Sequence, residues 1–234
     1  MNPIIEIRGL SYTYPDGKQA LHEINLTIKT GEKVALVGAN GAGKSTLLLS
    51  LNGVLQGEGA VFINGIEVKR ENLRYIRAMV GIVFQNPDDQ LFSPTVFEDV
   101  AYGPMYQGFS KVMVQERVKQ ALQAVRMEDY VNRNPHHLSH GEKKRIAIAT
   151  VLSMQSQILA LDEPTSELDP RARRELIALL LELPQTMIVA THDLDLARQL
   201  TTRTVLLSQG RIIADDITTN ILNNEILLTD HELN

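Results

Sequence analysis

Residues 34–51 read VALVGANGAGKSTLLLSL, and the fold is decided there. Residues 34–37 are an unbroken apolar run, the pattern of a strand covered on both faces in a parallel sheet. Glycines interrupt the chain, and residues 44–51 then read as a helix. GANGAGKS, 38–45, fits the spacing G-x-x-x-x-G-K-[ST] in the strand–loop–helix context that gives this pattern its meaning. The glycines allow a tight bend in which successive backbone N–H groups face phosphate oxygens. Lys44 offers a point charge to the outer phosphates and Ser45 a hydroxyl to Mg2+. The expectation is a nucleotide site at the end of a parallel strand.

Other apolar runs also end in polar groups. In QILALDEPTSELDP, 157–170, a strand leads to Asp162, placed to hold a magnesium shell, and to Glu163. Pleating turns neighbouring side chains to different sides, so the two carboxylates have different jobs. Glu163 is the candidate to orient or deprotonate an attacking water. In IVATHDLD, 188–195, His192 stands just past another run, and Gln85 follows GIVF. Lys44 with Ser45, Gln85, Asp162 with Glu163, and His192 should therefore converge on one crevice, where open α/β sheets place ligands.

Outward from these, residues 4–10 and 23–28 are short and β-like, and VFINGIEV at 61–68 carries the Asn-Gly hairpin signal. The first third thus has antiparallel character beside a parallel core. Residues 79–84 give another strand. Residues 95–130 read as helical, with Val114, Val118, Ala121, Leu122 and Val125 at helical spacing. Asp169-Pro170 is an N-cap followed by a first-turn proline. Residues 205–208 and 211–214 form a last hairpin, and 215–234, acidic and polar, are expected to be loosely held.

Composition narrows the function. Hydrophobic residues make up 44% and charged residues 22%, the net charge is −5, and there is no cysteine. The acidic balance disfavours nucleic acid as a partner, and the missing cysteines exclude disulfides and thiolate chemistry. The N-terminus lacks the apolar core of a signal peptide. No apolar run nears the roughly 20 residues of a membrane span, so a membrane role must come through a partner.

LSHGEKKRIAIA, 138–149, opens a helix. Ser139 and Glu142 have capping-box spacing. Gly141 costs roughly 1 kcal/mol against alanine inside a helix, which suggests that something approaches closely. At a helix N-terminus that something is expected to be an anion.

In this order the motifs resemble those of ABC-type ATPases over nearly the whole chain: the phosphate loop at 38–46, a Q-loop at Gln85, an LSGGQ-like signature at 138–142, LALDEPTSELD at 159–169, and His192. The resemblance implies one nucleotide-binding domain over 1–234. Its fold would be α/β, a RecA-like P-loop core with an antiparallel β subdomain and an α-helical signature subdomain near 86–155. It implies ATP as ligand, contacted by Tyr14 stacking on adenine (Tyr12 being the neighbouring alternative) and by Gly38, Ala39, Asn40, Gly41, Ala42, Gly43, Lys44, Ser45 and Thr46. Mg2+ would be held by Ser45, Gln85 and Asp162. Glu163, His192 and Lys44 would serve catalysis, and Ser139 and Gly141 would contact ATP bound by a second ATPase subunit in a head-to-tail dimer. His140 and Glu142 depart from the family's glycine and glutamine. The role of His140 stays open, and Glu142 is expected to face outward.

QNPDDQLFSPTVFEDVAYGP, 85–104, is similar to ATPases of energy-coupling-factor importers, especially the cobalt/nickel type. That similarity implies a groove for a transmembrane coupling protein, a substrate-binding membrane subunit beside it, and a place on the cytoplasmic face of the cell membrane. Leu91, Phe92, Val96 and Phe97 would supply apolar contact, with Asp88, Asp89, Glu98 and Asp99 as the rim. The absence of a longer C-terminal region and the full set of ATP motifs favour a homodimer in a dedicated importer. The alternatives are a shared vitamin-importing module, a soluble ABC protein, and, last, a P-loop kinase, which leaves LSHGE and His192 without a role.

Overall fold

The computed structural model describes residues 3–233; residues 1, 2 and 234, which the single-domain expectation also covers, lie outside the described residues. Strands β1 (Ile5–Thr13), β2 (Gln19–Ile28), β4 (Glu58–Ile63) and β5 (Ile66–Glu67) form an antiparallel sheet in the order β2-β1-β4-β5. The Asn-Gly signal is met at the β4–β5 turn, where Asn64 and Gly65 have φ 49 and 78.

The second sheet contains β3 (Lys33–Val37), β6 (Val80–Val83), β7 (Ile158–Asp162), β8 (Thr186–Thr191), β9 (Arg203–Ser208) and β10 (Arg211–Ile217), in the order β10-β9-β3-β8-β7-β6. All its neighbours are parallel except β10, which folds back on β9. Alternation explains how it is covered on both faces. In β7, Leu159 and Leu161 join Met187 and Val189 in one apolar cluster, while Ile158 and Ala160 join Ile188 and Ala190 in another. Each leucine, isoleucine, valine or methionine among them contributes about 1.5–3 kcal/mol when fully buried. The first cluster includes side chains of α5 (His140–Leu152) and α6 (Pro170–Glu182); the second includes α1 (Lys44–Leu51) and the antiparallel sheet.

The helical expectation over 95–130 is corrected in detail. The segment is two helices, α3 (Val96–Tyr106) and α4 (Lys111–Ala124), broken by a turn at Gln107 and Gly108 and followed by a 3-10 turn, Glu128–Tyr130. Val114, Val118, Ala121, Leu122 and Val125 are buried as their spacing requires. The loosely held tail is also overturned. After α7 (Leu194–Leu200), helices α8 (Thr218–Leu222) and α9 (Glu225–Asp230) put Ile221, Leu222 and Leu228, with Leu233, against Ala35, Val37 and Leu206. A few spaced leucines and isoleucines outweigh an acidic average, because burial acts on particular side chains. The remaining helix, α2 (Leu73–Met79), leads into β6. No described helix is long and apolar enough to cross a membrane.

Candidate functional site

The ends of β3, β8, β7 and β6 lie side by side, and each delivers polar groups to the same edge. From β3 the chain passes through the glycine loop into α1, whose N-cap, Gly43, has φ 106 and no side-chain cap. A Cβ there would stand 2.6 Å from the Ala20 carbonyl oxygen, so both conformation and space demand glycine. A cavity of about 320 Å³ opens beside this loop, lined by Tyr14, Asn40, Gly41, Gly43, Lys44, Ser45, Thr46, Gln85, Asp162 and Glu163 among others.

Lys44 is buried and donates to the carbonyls of Gly38 at 2.7 Å and Ala39 at 3.2 Å. Its ammonium lies 3.7 Å from Glu163 Oε1. Burial pushes the Lys44 pKa down, and Glu163 and Asp162 oppose that. Glu163 is the centre of the network. Its Oε1 accepts the His192 backbone N–H at 3.0 Å and meets His192 Nδ1 at 2.8 Å, and Oε2 accepts the Thr191 hydroxyl at 3.0 Å. Glu163 has φ 42, a left-handed backbone that costs a side-chain-bearing residue of order 1 kcal/mol. This backbone directs the carboxylate at Lys44 and His192, while Asp162, one residue earlier, hydrogen-bonds Ser45. The two acids do separate work, as pleating required. Burial raises the Asp162 pKa, as does Glu163, against the hydrogen bond from Ser45 and the Lys44 charge.

Ser45 and Asp162 thus present hard oxygen donors at the cavity wall, and Gln85 lines the same wall. This donor chemistry suits Mg2+, which takes few protein oxygens and keeps waters.

Tyr14, not Tyr12, lines the cavity; it shares a 2.9 Å hydrogen bond with Thr46, and Tyr12 packs edge-on to it, on the apolar cluster below. Ala39 and Ala42 border a neighbouring cavity instead, which Asn40 and Gly41 also line. Gly38 lines neither and gives its carbonyl to Lys44. His192 does not line the cavity itself and stands beside it, on Glu163. Lys18 and Ala20 line the cavity too. Neither is among the residues expected from sequence, although the short polar turn PDGK at 15–18, which ends in Lys18, is a visible signal.

Ser139 and Gly141 stand at the start of α5, outside this cavity. The capping box is complete: Ser139 Oγ accepts the Glu142 N–H at 3.4 Å, and Glu142 Oε2 accepts the Ser139 N–H at 2.8 Å. Glu142 does not face outward as expected, because its carboxylate is held by Ser139 and also by Tyr130. Within this chain the neighbour that needs Gly141 to be small is Ala172 of α6, whose Cβ would be 3.0 Å from an added Cβ. His140 is part-buried with Nε2 unpartnered, and burial and Lys144 hold its pKa low.

The segment after Gln85 departs from its expected layout. Leu91 and Val96 are core residues, and buried Asp99 accepts the N–H groups of Phe92 and Ser93, so none of the three faces a partner. The open apolar surface is Phe92, Tyr102, Met105 and Tyr106, each 59–67% exposed. Tyr102, Met105 and Tyr106 share a pocket with Phe97 and Ala101. Only a one-residue-in-four reading of α3 separates these from its buried side.

A parallel sheet that brings a phosphate loop, two carboxylates and a histidine to one edge defines a P-loop nucleoside triphosphatase. The model of the ABC transporter family matches residues 21–166. The energy-coupling factor transporter ATP-binding protein EcfA of Methanothermobacter thermautotrophicus is 49% identical over 96% of this chain and 74% of its own length. Among solved structures, cbiO1 from Clostridium perfringens, part of the ABC transporter complex cbiONQ, superposes with a TM-score of 0.87 at 36% identity, covering 100% of this chain and 96% of that one. The ATP-binding cassette MJ0796, solved as a dimer in a post-hydrolysis state with ADP and Pi, gives 0.81 at 29% identity over 92% and 98%. The chain belongs to the ABC transporter family, and its reaction is ATP hydrolysis.

Proposed function

We propose that the chain, as one nucleotide-binding domain with a helical subdomain over 86–155, is the energy-coupling subunit of a membrane importer of the energy-coupling-factor type, carrying cobalt or nickel ions. The observation that carries the catalytic part is the convergence of Lys44, Ser45, Asp162, Glu163 and His192 at one sheet edge. In the reaction, water attacks the γ-phosphorus of ATP. The bond to the β–γ bridging oxygen breaks, its electron pair stays on ADP, and the proton of water passes to Glu163. Lys44 turns from the loop carbonyls to the phosphate oxygens. His192 keeps the Glu163 carboxylate aimed and contacts the γ-phosphate. Mg2+, held by Ser45, Asp162 and Gln85, would neutralise phosphate charge.

Two copies would pair head to tail, with Ser139 and Gly141 of each meeting the other's ATP; support comes from the dimeric cassette MJ0796. Phe92, Tyr102, Met105 and Tyr106 would receive a helix of a transmembrane coupling protein on the cytoplasmic face. The support is their exposure beside the Gln85 segment and the EcfA relative. The cargo reading rests on the resemblance of residues 85–104.

Two experiments test this. Glu163→Gln should cut hydrolysis about 10²–10⁴-fold and leave an ATP-dependent dimer on size exclusion; a monomer in ATP would defeat the head-to-tail mechanism. Affinity capture from mild-detergent extract should bring down a coupling protein with one metal-type substrate subunit. A second ATPase with several substrate subunits would mean a shared vitamin module, and no membrane protein at all would remove the transport reading.

A further inference from the structure

Lys144, on α5, heads the largest fully buried side chains of the described residues, at 1% exposure. Its ammonium donates to the backbone carbonyl of Gln85, to that of Glu163 at 3.1 Å and to Ser166 Oγ at 3.3 Å. Three donors meet three neutral acceptors, from two segments: the Gln85 backbone and the 163–166 loop. Burial lowers its pKa to about 8 against the pull of Glu167, Asp162 and Glu163. Taking an ammonium out of water is costly, and an apolar side chain of similar volume would fill the space without that cost. The charge therefore has a use other than packing.

Its acceptors show which. Glu163 is held in the left-handed region, and its carbonyl also accepts the Ser166 N–H at 3.1 Å and the Ser166 hydroxyl at 2.9 Å. Lys144 is thus one of the groups clamping the one peptide whose orientation aims the Glu163 carboxylate. The Gln85 segment is tied to α5 elsewhere as well, by Lys143 with Asp88 at 2.7 Å and by Gln90 Nε2 with the Ala147 carbonyl at 3.0 Å. Of these ties only Lys144 extends to Glu163.

We propose that Lys144 is a positioning residue: its ammonium links α5 to Gln85 and to the backbone of Glu163, so that the placement of the signature helix sets the aim of the carboxylate that activates water. This rests on the reading of Glu163 given above. A partner's nucleotide seated on α5 would thereby be sensed in this chain's own catalytic group, through one side chain.

The test compares Lys144→Met, which keeps bulk and removes all donors, with Lys144→Gln, which restores two N–H donors on a shorter chain. Steady-state hydrolysis, the Kd for a fluorescent ATP analogue and the unfolding midpoint are measured on each full chain. Lys144→Met should lose kcat about ten- to a hundredfold, as misplacement of a catalytic group does, with the nucleotide Kd within about threefold of wild type. Lys144→Gln should recover part of kcat without a higher midpoint. Loss of kcat that merely tracks the midpoint across both variants overturns the proposal, as does a Lys144→Met protein with wild-type kcat. If Lys144→Met does not fold, Lys144→Gln and Lys144→Arg carry the same comparison. A wild-type chain that does not hydrolyse ATP while Kd is normal would fail the Glu163 reading itself, which separates the two failures.

Discussion

Two helices of this chain begin beside glycines, and their N-termini are finished in opposite ways. At α1 the N-cap is Gly43, and no side chain meets the first-turn N–H groups. At α5 the N-cap is Ser139, and Glu142 returns its carboxylate to the Ser139 N–H and hydroxyl, both at 2.8 Å. Each end carries the partial positive charge of its helix. One is open to an anion from outside; the other already holds an anion of its own. An external phosphate can therefore settle at α1 without competition, whereas at α5 it must share donors with Glu142. On the proposed mechanism this suits a cradle that stays loaded and a partner contact that forms and breaks in every cycle.

The contrast can be broken at either end. The largest effect is expected from Lys44→Ala, which should raise the Kd for ATP about ten- to a hundredfold, the range of a lost charge-assisted hydrogen bond, as read by equilibrium titration. Ser139→Ala should leave that Kd unchanged and lower kcat about tenfold, with less dimer on size exclusion in ATP. If it weakened nucleotide binding by the isolated monomer, α5 would belong to the chain's own cradle and the distinction would collapse.

Glu142→Gln keeps a capping acceptor but removes the charge, so ATP-dependent dimerisation should strengthen about two- to fivefold, on the scale of a helix-dipole interaction. Its pH dependence follows from the Glu142 pKa. Burial raises it, but hydrogen bonds from Tyr130 and Ser139 outweigh that and leave it below the usual 4.5. A depressed carboxyl stabilises the fold above the unfolded value and loses that contribution as pH falls through the folded one. The unfolding midpoints of wild type and Glu142→Gln should thus differ by a constant amount near neutrality and converge below about pH 4.5. The smallest effect sharpens the comparison by control. Thr95 and Glu98 make the same reciprocal cap on α3, away from the nucleotide. Thr95→Ala should cost about 1 kcal/mol in denaturant unfolding and leave kcat as it was.

What was legible in the sequence was short-range. The phosphate loop, Asp162, Glu163 and His192 each announce themselves within a few residues of an apolar strand, and strand ends in a parallel sheet share an edge. The capping box at Ser139 and Glu142 was equally local. Lys144 was not legible: among charged neighbours in GEKKR nothing marks one lysine as buried, since that depends on Gln85, some sixty positions away, closing over it. For the same reason nothing local marks Leu91, Val96 and Asp99 as interior. Their burial is set by packing of α3 on α4 and α5, and Asp99 turns Oδ1 to the N–H groups of Phe92 and Ser93. Gly141 marks a place of close approach, and inside the chain the approaching group is the methyl of Ala172, on a helix whose path the local sequence does not state.

The place of β3 in its sheet governs the order in which the protein can be made. The strand bearing the phosphate loop leaves the ribosome early, yet its two neighbours are β8 and β9, residues 186–208. Until those emerge, β3 has both edges unpaired and no bed to hold the loop's curvature. A nascent chain folds only as its contacts become available, and these are among the most distant pairings in the molecule. A stalled or truncated translation product lacking β8 and β9 would therefore carry the complete GANGAGKS motif on a strand with no sheet neighbour, and should load ATP far less well than the finished chain.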